Sequence, residues 1–83
     1  MNTFELTPID GRKSFYKKCR VEEENGICNL ISYTTKVASI NQYGILDITK
    51  NENHLTQTTL RHINSFLSFN GIDKMTKKQI LAL

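Results

Sequence analysis

Apolar and polar residues alternate along the first part of the chain in a way that predicts a strand. Between Ser14 and Val21, the apolar side chains of Phe15, Cys19 and Val21 fall on one parity. A period of two places them on one face of an extended segment, with polar residues on the other. This segment is therefore predicted to be the first strand of a sheet with one buried face.

Two further strands are predicted after it. The segment from about residue 27 to 40 carries Ile31, Tyr33 and Val37 on one parity, and residues 45–49 form a short strand of the same kind. Turn-forming residues separate the three segments, so hairpins connect neighbouring strands. The pattern predicts a three-stranded antiparallel meander.

The first hairpin has two possible registers, which differ in the length of the loop at Gly26. A two-residue Asn-Gly loop would set Cys19 opposite Ser32 and would place the apolar parities of the two strands on different faces. A three-residue loop with Gly26 in the left-handed conformation sets Cys19 opposite Ile31 and places both apolar sets on one face. We expect the second register, in which Cys19 and Cys28 point to opposite faces and cannot form a disulfide.

The second half of the chain predicts two helices. Thr56 is a suitable N-cap for the first, and Asn70-Gly71 fits its C-terminal cap. Thr76-Lys77-Lys78-Gln79 is a capping-box pattern that predicts a short final helix. The main helix has an apolar stripe that should lie on the sheet, formed by Leu60, Ile63 and Leu67 with Thr59 and Phe66 beside it. The final helix is expected to pack through Ile80, Leu81 and Leu83.

Together these elements predict the α+β class: a three-stranded antiparallel β-meander packed by one main α-helix, with a short C-terminal helix. The 83 residues suffice for one modest core. We expect residues 1–11 to form an N-terminal arm and residues 12–83 a single small domain. With 39% hydrophobic and 23% charged residues, the composition is that of an ordinary globular protein. The N-terminal residues lack a signal-peptide pattern, which predicts a cytoplasmic protein.

The residues that could carry catalysis do not form a recognisable constellation. His54 and His62 lack cysteine or carboxylate neighbours at zinc-ligand spacing, and the four glycines are isolated turn residues. We therefore expect no enzyme activity, no metal and no cofactor. One nucleophilic pair, Cys28 with His62, stays open because the sequence does not decide whether the fold brings them together.

A cluster of cationic residues is the main electrostatic feature. Arg12, Lys18 and Arg20 share the outer face of the first strand with Tyr16. Cations around an aromatic ring are typical of a platform for single-stranded nucleic acid. The acidic run 22–24 and a net charge of only +3 favour the simpler interpretation of a solvated strand face.

The main helix adds Arg61 as a candidate partner-binding residue. It lies in the first turns, where backbone amides and the helix dipole suit an anion, and it points away from the apolar stripe. Its neighbour His62 lies at the edge of the stripe, where we expect it to pack and to bond a loop carbonyl. The candidate partner-binding residues are thus Arg61, Arg20, Lys18, Tyr16 and Arg12.

Several short motifs make the chain resemble a family of small uncharacterised proteins of bacteriophages and mobile elements. They are Ser-Phe-Tyr at Ser14–Tyr16, Ser-Tyr-x-Thr-x-Val-Ala at Ser32–Ala38, and Thr-Thr-x-Arg-His-Ile at Thr58–Ile63, followed by Phe66-Leu67 and a lysine-rich tail. No activity is established for that family, so the resemblance implies origin and fold more than mechanism.

Two functional hypotheses follow. The first is a non-enzymatic phage or mobile-element accessory protein that binds a host protein stoichiometrically, for example as an inhibitor of a bacterial defence system such as CRISPR. The alternative is a small nucleic-acid-binding module that uses the basic face of the first strand. A host bacterial protein is the expected partner under the first hypothesis, and nucleic acid under the second.

Overall fold

The computed structural model describes residues 2–6 and 18–83. In these ranges no helix has both the length and the apolar character needed to cross a membrane. The elements are the strands β1 (Asn2–Glu5), β2 (Cys19–Glu24), β3 (Ile27–Ser32), β4 (Thr35–Asn41) and β5 (Leu46–Ile48), a 3₁₀ turn (Glu52–His54), and the helices α1 (Gln57–Phe69) and α2 (Lys77–Leu81).

The strands form one five-stranded antiparallel sheet in the order β1-β2-β3-β4-β5. The prediction of three strands is wrong, although the fold is α+β. β1 lies in the segment predicted to be an arm and pairs with β2. The long strand predicted over residues 27–40 is divided by a turn at Tyr33 and Thr34 into β3 and β4. A two-residue loop reverses the parity of the inward-facing positions, but the register shift between Leu30 and Ile31 reverses it again, so alternation alone did not reveal this turn.

The hairpin of β2 and β3 has the register that the sequence analysis rejected. Asn25 and Gly26 form a two-residue loop with φ angles of 53° and 78°, and Cys19 pairs with Ser32. Positive φ at both loop residues is the type I′ pattern, which favours Asn-Gly because its twist matches that of the flanking strands. This turn preference outweighs the apolar parity on which the prediction relied.

The observed register reverses the faces of β3. Leu30 joins the core beneath α1, whereas Ile31 is buried on the other side of the sheet, paired with Arg20. Tyr33, which was predicted to point inward, is 46% exposed. We call the side packed by α1 the inner face and the opposite side the outer face.

The two cysteines are free, as expected, but for a different reason. Cys19 and Cys28 share the inner face rather than opposite faces. Cys28 pairs with Glu23, which is four residues after Cys19 on β2, a separation of about 13 Å along the strand. Distance along the sheet therefore keeps the thiols apart.

The core lies between the inner face and α1. Ile63, Phe66 and Leu67 are fully buried, which confirms most of the predicted stripe, while Leu60 is partly buried. Phe15, expected to pack against this stripe, lies outside the described residues. The core cluster consists of Leu6, Cys19, Val21, Leu30, Val37, Ala38, Ile48, Leu55, Ile63, Phe66, Leu67 and Ile80.

The helix ends follow the predicted capping chemistry. The side chain of Thr56 accepts a hydrogen bond from a first-turn amide of α1, and Thr76 begins α2 with a complete capping box. At the other end of α1, Gly71 has a φ of 73° and the amide of Ile72 bonds the carbonyl of Leu67 at 2.8 Å, which is a Schellman motif. Leu83 is 53% exposed, so its predicted packing role is wrong.

Replacing Ile63 by alanine should lower the free energy of unfolding by roughly 2–5 kcal/mol, because it removes a buried side chain and leaves a cavity at the helix–sheet contact. Urea denaturation followed by circular dichroism measures this loss. The matched control is Leu83→Ala at an exposed position, where we expect a change within about 0.5 kcal/mol. Equal stability of the two variants would contradict the described packing of α1.

Candidate functional site

Two of the predicted partner-binding residues, Lys18 and Arg20, converge on Tyr33. The amide of Tyr33 donates to the carbonyl of Lys18 at 2.8 Å, and the carbonyl of Tyr33 accepts from Nη1 of Arg20 at 3.1 Å. Nζ of Lys18 lies 5.4 Å from the centroid of the Tyr33 ring, within range of a cation–π interaction. We name the group of Lys18, Arg20 and Tyr33 the Tyr33 platform.

The backbone of Tyr33 is strained. Its φ of 59° is left-handed, and it is the first of two residues in the loop between β3 and β4. A loop with positive φ at its first residue alone follows the II′ pattern, which favours glycine there. A non-glycine residue in this region costs on the order of 1 kcal/mol or more and persists when its surroundings hold it in place.

The Tyr33 ring is held from below by His62. The two ring centroids are 5.8 Å apart and the planes are inclined by 44°, which is an aromatic contact of ordinary geometry. With His62 fully buried beneath it and Lys18 beside it, the half-exposed ring presents an ordered aromatic surface next to a positive charge. Such a surface combines the residue types that anchor protein interfaces.

The outer face of the sheet carries acidic as well as basic side chains. Nε of Arg20 forms an ion pair with Oε2 of Glu22 at 3.1 Å. Both side chains are about one-third exposed, so this pair is worth less than about 1 kcal/mol. Within residues 2–6 and 18–83, strand pairing places four carboxylates and three cations at this face: Glu5, Glu22, Glu24 and Asp47 with Lys18, Arg20 and Lys36.

The other predicted partner-binding residues, Arg61, Arg12 and Tyr16, do not contribute to the Tyr33 platform as the structure describes it. Arg61 is half-buried and already interacts within the protein. Its guanidinium is close enough to His62 to affect the pKa of that imidazole. Arg12 and Tyr16 lie outside the described residues.

A chain of hydrogen bonds, buried at Ser32, Thr59 and His62, connects the sheet to α1 behind the platform. Oγ of Ser32 lies 2.8 Å from Nδ1 of His62 and 3.2 Å from Oγ1 of Thr59. The hydroxyl of Thr56 in turn donates to Oγ1 of Thr59 at 3.2 Å. His62 is buried, as the sequence suggested, and its Nδ1 forms a hydrogen bond with the Ser32 hydroxyl.

A shallow cavity of about 180 Å³ opens beside this chain, at the end of β3 and the start of α1. Its walls include Ser32, Tyr33, His54, Thr56 and Thr59. Five of its eight lining residues bear a hydroxyl group, although carbon atoms supply most of the exposed lining. The cavity therefore extends the Tyr33 platform with hydrogen-bonding groups that suit a polar side chain of a partner.

The distance between Ser32 and His62 is that of a nucleophile and its general base. His62, however, is not basic enough to act as that base. Burial, and secondarily the charge of Arg61, lowers the pKa of His62 from 6.5 to about 4. An imidazole with that pKa is a weak proton acceptor at neutral pH, and Ser32 itself is 3% exposed. The geometry favours a structural hydrogen bond that ties α1 to β3.

The Cys28–His62 pair left open by the sequence is not formed. Cys28 precedes Ser32 by four residues on β3, a distance of about 13 Å along the strand. Since Nδ1 of His62 bonds Ser32, its ring lies at the opposite end of β3 from the thiol. In the part of the chain that the structure describes, no group of three His, Cys, Asp or Glu residues could hold a metal ion.

Sequence reasoning missed Tyr33 because it assigned this residue to the core. A usable signal was present in the run Ser32-Tyr33-Thr34-Thr35-Lys36, in which four of five residues are polar. Hydroxyl and other polar residues clustered within a predicted strand indicate a turn. An aromatic residue at such a turn is exposed more readily than one within a strand.

The buried neutral His62 should make stability depend on pH. The unfolded chain binds a proton near pH 6.5 and the folded chain only near pH 4, so stability is full above pH 6.5 and falls as the pH drops toward 4. The expected slope in this window is up to about 1.4 kcal/mol per pH unit from this group. Urea denaturation at a series of pH values measures it.

His62→Gln retains a neutral hydrogen-bonding side chain, so its stability should lose this component of the slope between pH 6.5 and 4. His54→Gln, at an exposed histidine, is the control and should keep the slope of the unmodified protein. Identical slopes for His62→Gln and the unmodified protein would show that His62 is not held neutral.

Comparison with known proteins adds a family but no described activity. The model of a family of unknown function, DUF8033, matches residues 4–82. No curated protein and no solved structure matches the chain. Because the match covers nearly the whole sequence, the chain belongs to the DUF8033 family.

Proposed function

We propose that the protein is a non-enzymatic accessory protein that binds a host protein stoichiometrically through the Tyr33 platform. The observation that carries this proposal is the strained, half-exposed Tyr33, fixed between Lys18, Arg20 and His62. Preorganisation of this kind reduces the entropy lost when a side chain is immobilised in an interface. The binding surface is therefore built before the partner arrives.

The residue types support a protein partner. Tyrosine and arginine are enriched among residues that dominate binding energy, and the best anchors are surrounded by contacts that exclude water. The hydroxyl-lined cavity beside Tyr33 supplies such a surrounding. A standard interface needs only about 800 Å² on each partner, which a domain of this size can provide.

The origin of the protein enters the proposal through the resemblance to phage and mobile-element proteins. An accessory protein of this origin acts in the cytoplasm of the bacterial host. A component of a defence system, such as a CRISPR effector, is a partner of the expected class. Membership of a family of unknown function is compatible with this assignment but does not specify it.

The alternative, a nucleic-acid-binding module, has one observation in its favour. The pair of Lys18 and the Tyr33 ring could stack a base beside a phosphate. The described part of the outer face carries more carboxylates than cations, however, and these would repel a phosphate backbone. The charge distribution therefore gives more support to a protein partner.

Affinity capture of the tagged protein from its bacterial host should recover one dominant protein at a near-equal ratio. With that partner purified, Tyr33→Gly should weaken binding by about 30-fold or more, a loss of about 2 kcal/mol. The fold should survive because glycine adopts the required positive φ without strain. Titration calorimetry measures binding, and thermal unfolding confirms that the variant is folded.

Tyr43→Ala is the matched control, since Tyr43 is 79% exposed on a different turn of the sheet. Its affinity should stay within about threefold of the unmodified protein. An equal loss in both variants, or no loss in folded Tyr33→Gly, would contradict binding through the Tyr33 platform.

A separate measurement tests the alternative function. A fluorescent single-stranded oligonucleotide should show no binding at low salt if the protein is not a nucleic-acid module. Binding that weakens steeply with salt, with a slope reduced by about one in Lys18→Gln, would support the alternative instead.

A further inference from the structure

The strand β1 lies at one edge of the sheet and carries backbone groups that face away from it. In residues 2–6 and 18–83, β1 pairs with β2 alone. The amide of Leu6 donates to the carbonyl of Cys19 at 3.0 Å, which continues the register that sets Glu5 opposite Arg20. Because bonded and non-bonded pairs alternate in an antiparallel ladder, the amides and carbonyls of Thr3 and Glu5 point away from β2. Within the described residues, these four groups have no partner strand.

An aromatic pair lies beside this edge. Phe4 on β1 and Phe69 at the end of α1 have ring centroids 5.3 Å apart, with planes inclined by 47°. Phe4 is half-buried and packs against the core on the inner face, whereas Phe69 is 58% exposed. Apolar surface thus borders unpaired backbone, a combination that lets the strands of two chains pair.

The opposite edge of the sheet is different. β5 has three residues, and its central residue is the exposed carboxylate Asp47. Short length and an exposed charge are two means by which edge strands avoid pairing with another chain. β1 is longer, and its one charged residue, Glu5, stands at its end. Of the two edges, β1 is therefore the one suited to pairing.

We infer that β1 pairs with β1 of a second copy of this chain in an antiparallel, two-fold symmetric contact. Thr3 opposite Thr3 would leave Glu5 opposite residue 1, and Glu5 opposite Glu5 would oppose two like charges. Thr3 opposite Glu5 of the other copy pairs all four backbone groups and sets Phe4 opposite Phe4. A second copy is the occupant because one register satisfies the free backbone groups and joins the apolar rings. This inference does not rest on the proposed function of the Tyr33 platform.

The symmetric contact leaves room for both main helices. α1 packs over β3, which is two strands away from β1, so five strand spacings separate the β3 strands of the two copies. At about 4.8 Å per spacing, the two α1 helices are about 24 Å apart, more than the helix diameter of about 10–12 Å. Because Phe4 faces Phe4 on one side of the joined sheet, both helices lie on that side. The two Phe69 rings then flank the paired Phe4 rings.

Sedimentation velocity of the untagged full chain over a range of concentrations tests this contact. The sedimentation coefficient should rise from that of a 9.6 kDa monomer toward that of a dimer as the concentration increases. The contact involves a four-residue strand and is smaller than a standard interface, so the dissociation constant should lie between about 10 µM and 1 mM. In a mixture of ¹³C-labelled and unlabelled copies, NMR should show an intermolecular NOE between the α protons of Phe4, which this register places directly opposite each other.

Thr3→Pro should weaken self-association at least about tenfold, because it removes an outward amide that the pairing with β2 does not use. Thr3→Val keeps this amide and is the matched control, with a dissociation constant within about threefold of the unmodified protein. Circular dichroism confirms that both variants are folded, and the Phe4 NOE decides the question if Thr3→Pro is not. A chain that stays monomeric across the concentration range, equal self-association of the two folded variants, or intermolecular NOEs confined to another surface would each overturn the inference.

Discussion

The two-residue loop at Asn25 and Gly26 is the constraint on which the rest of the structure depends. Its type I′ geometry sets Cys19 opposite Ser32, and a shift by one residue would move every side chain of β3 to the other face. In the observed register, Leu30 enters the core and Ser32 reaches α1. A local turn preference thus decides which residues the helix meets.

The contact of Ser32 with α1 explains how the Tyr33 platform is built. Ser32 bonds His62 and Thr59 in a buried environment, where such hydrogen bonds are strong and costly to leave unmade. This contact fixes the last residue of β3. The chain must then reverse within two residues to begin β4, which places Tyr33 outside the core and over the His62 ring.

Sequence reasoning predicted the helix caps and the helical stripe but missed the strand register, because it gave the apolar parity more weight than the turn preference of Asn25-Gly26. The caps at Thr56 and Thr76 and the buried positions Ile63 and Leu67 follow from side-chain type and helical periodicity, and the structure confirms them. The division of the strand at Tyr33 could not be read from alternation, because the loop reverses the parity of the inward-facing residues and the irregularity in the pairing of β3 with β4 reverses it again. For the site, sequence identified Lys18 and Arg20 through charge but not the aromatic ring between them.

The turn between β3 and β4 does not by itself explain why residue 33 is a tyrosine. At a φ of 59° in the first loop position, glycine would form the same turn with less strain, so the turn itself does not require a tyrosine. The contact with His62 offsets part of this strain, yet Tyr33 remains 46% exposed, so packing within the fold does not account for a tyrosine at this strained position. The strained backbone of an exposed tyrosine beside Lys18 is therefore the observation that supports the proposed binding of a partner protein through the Tyr33 platform.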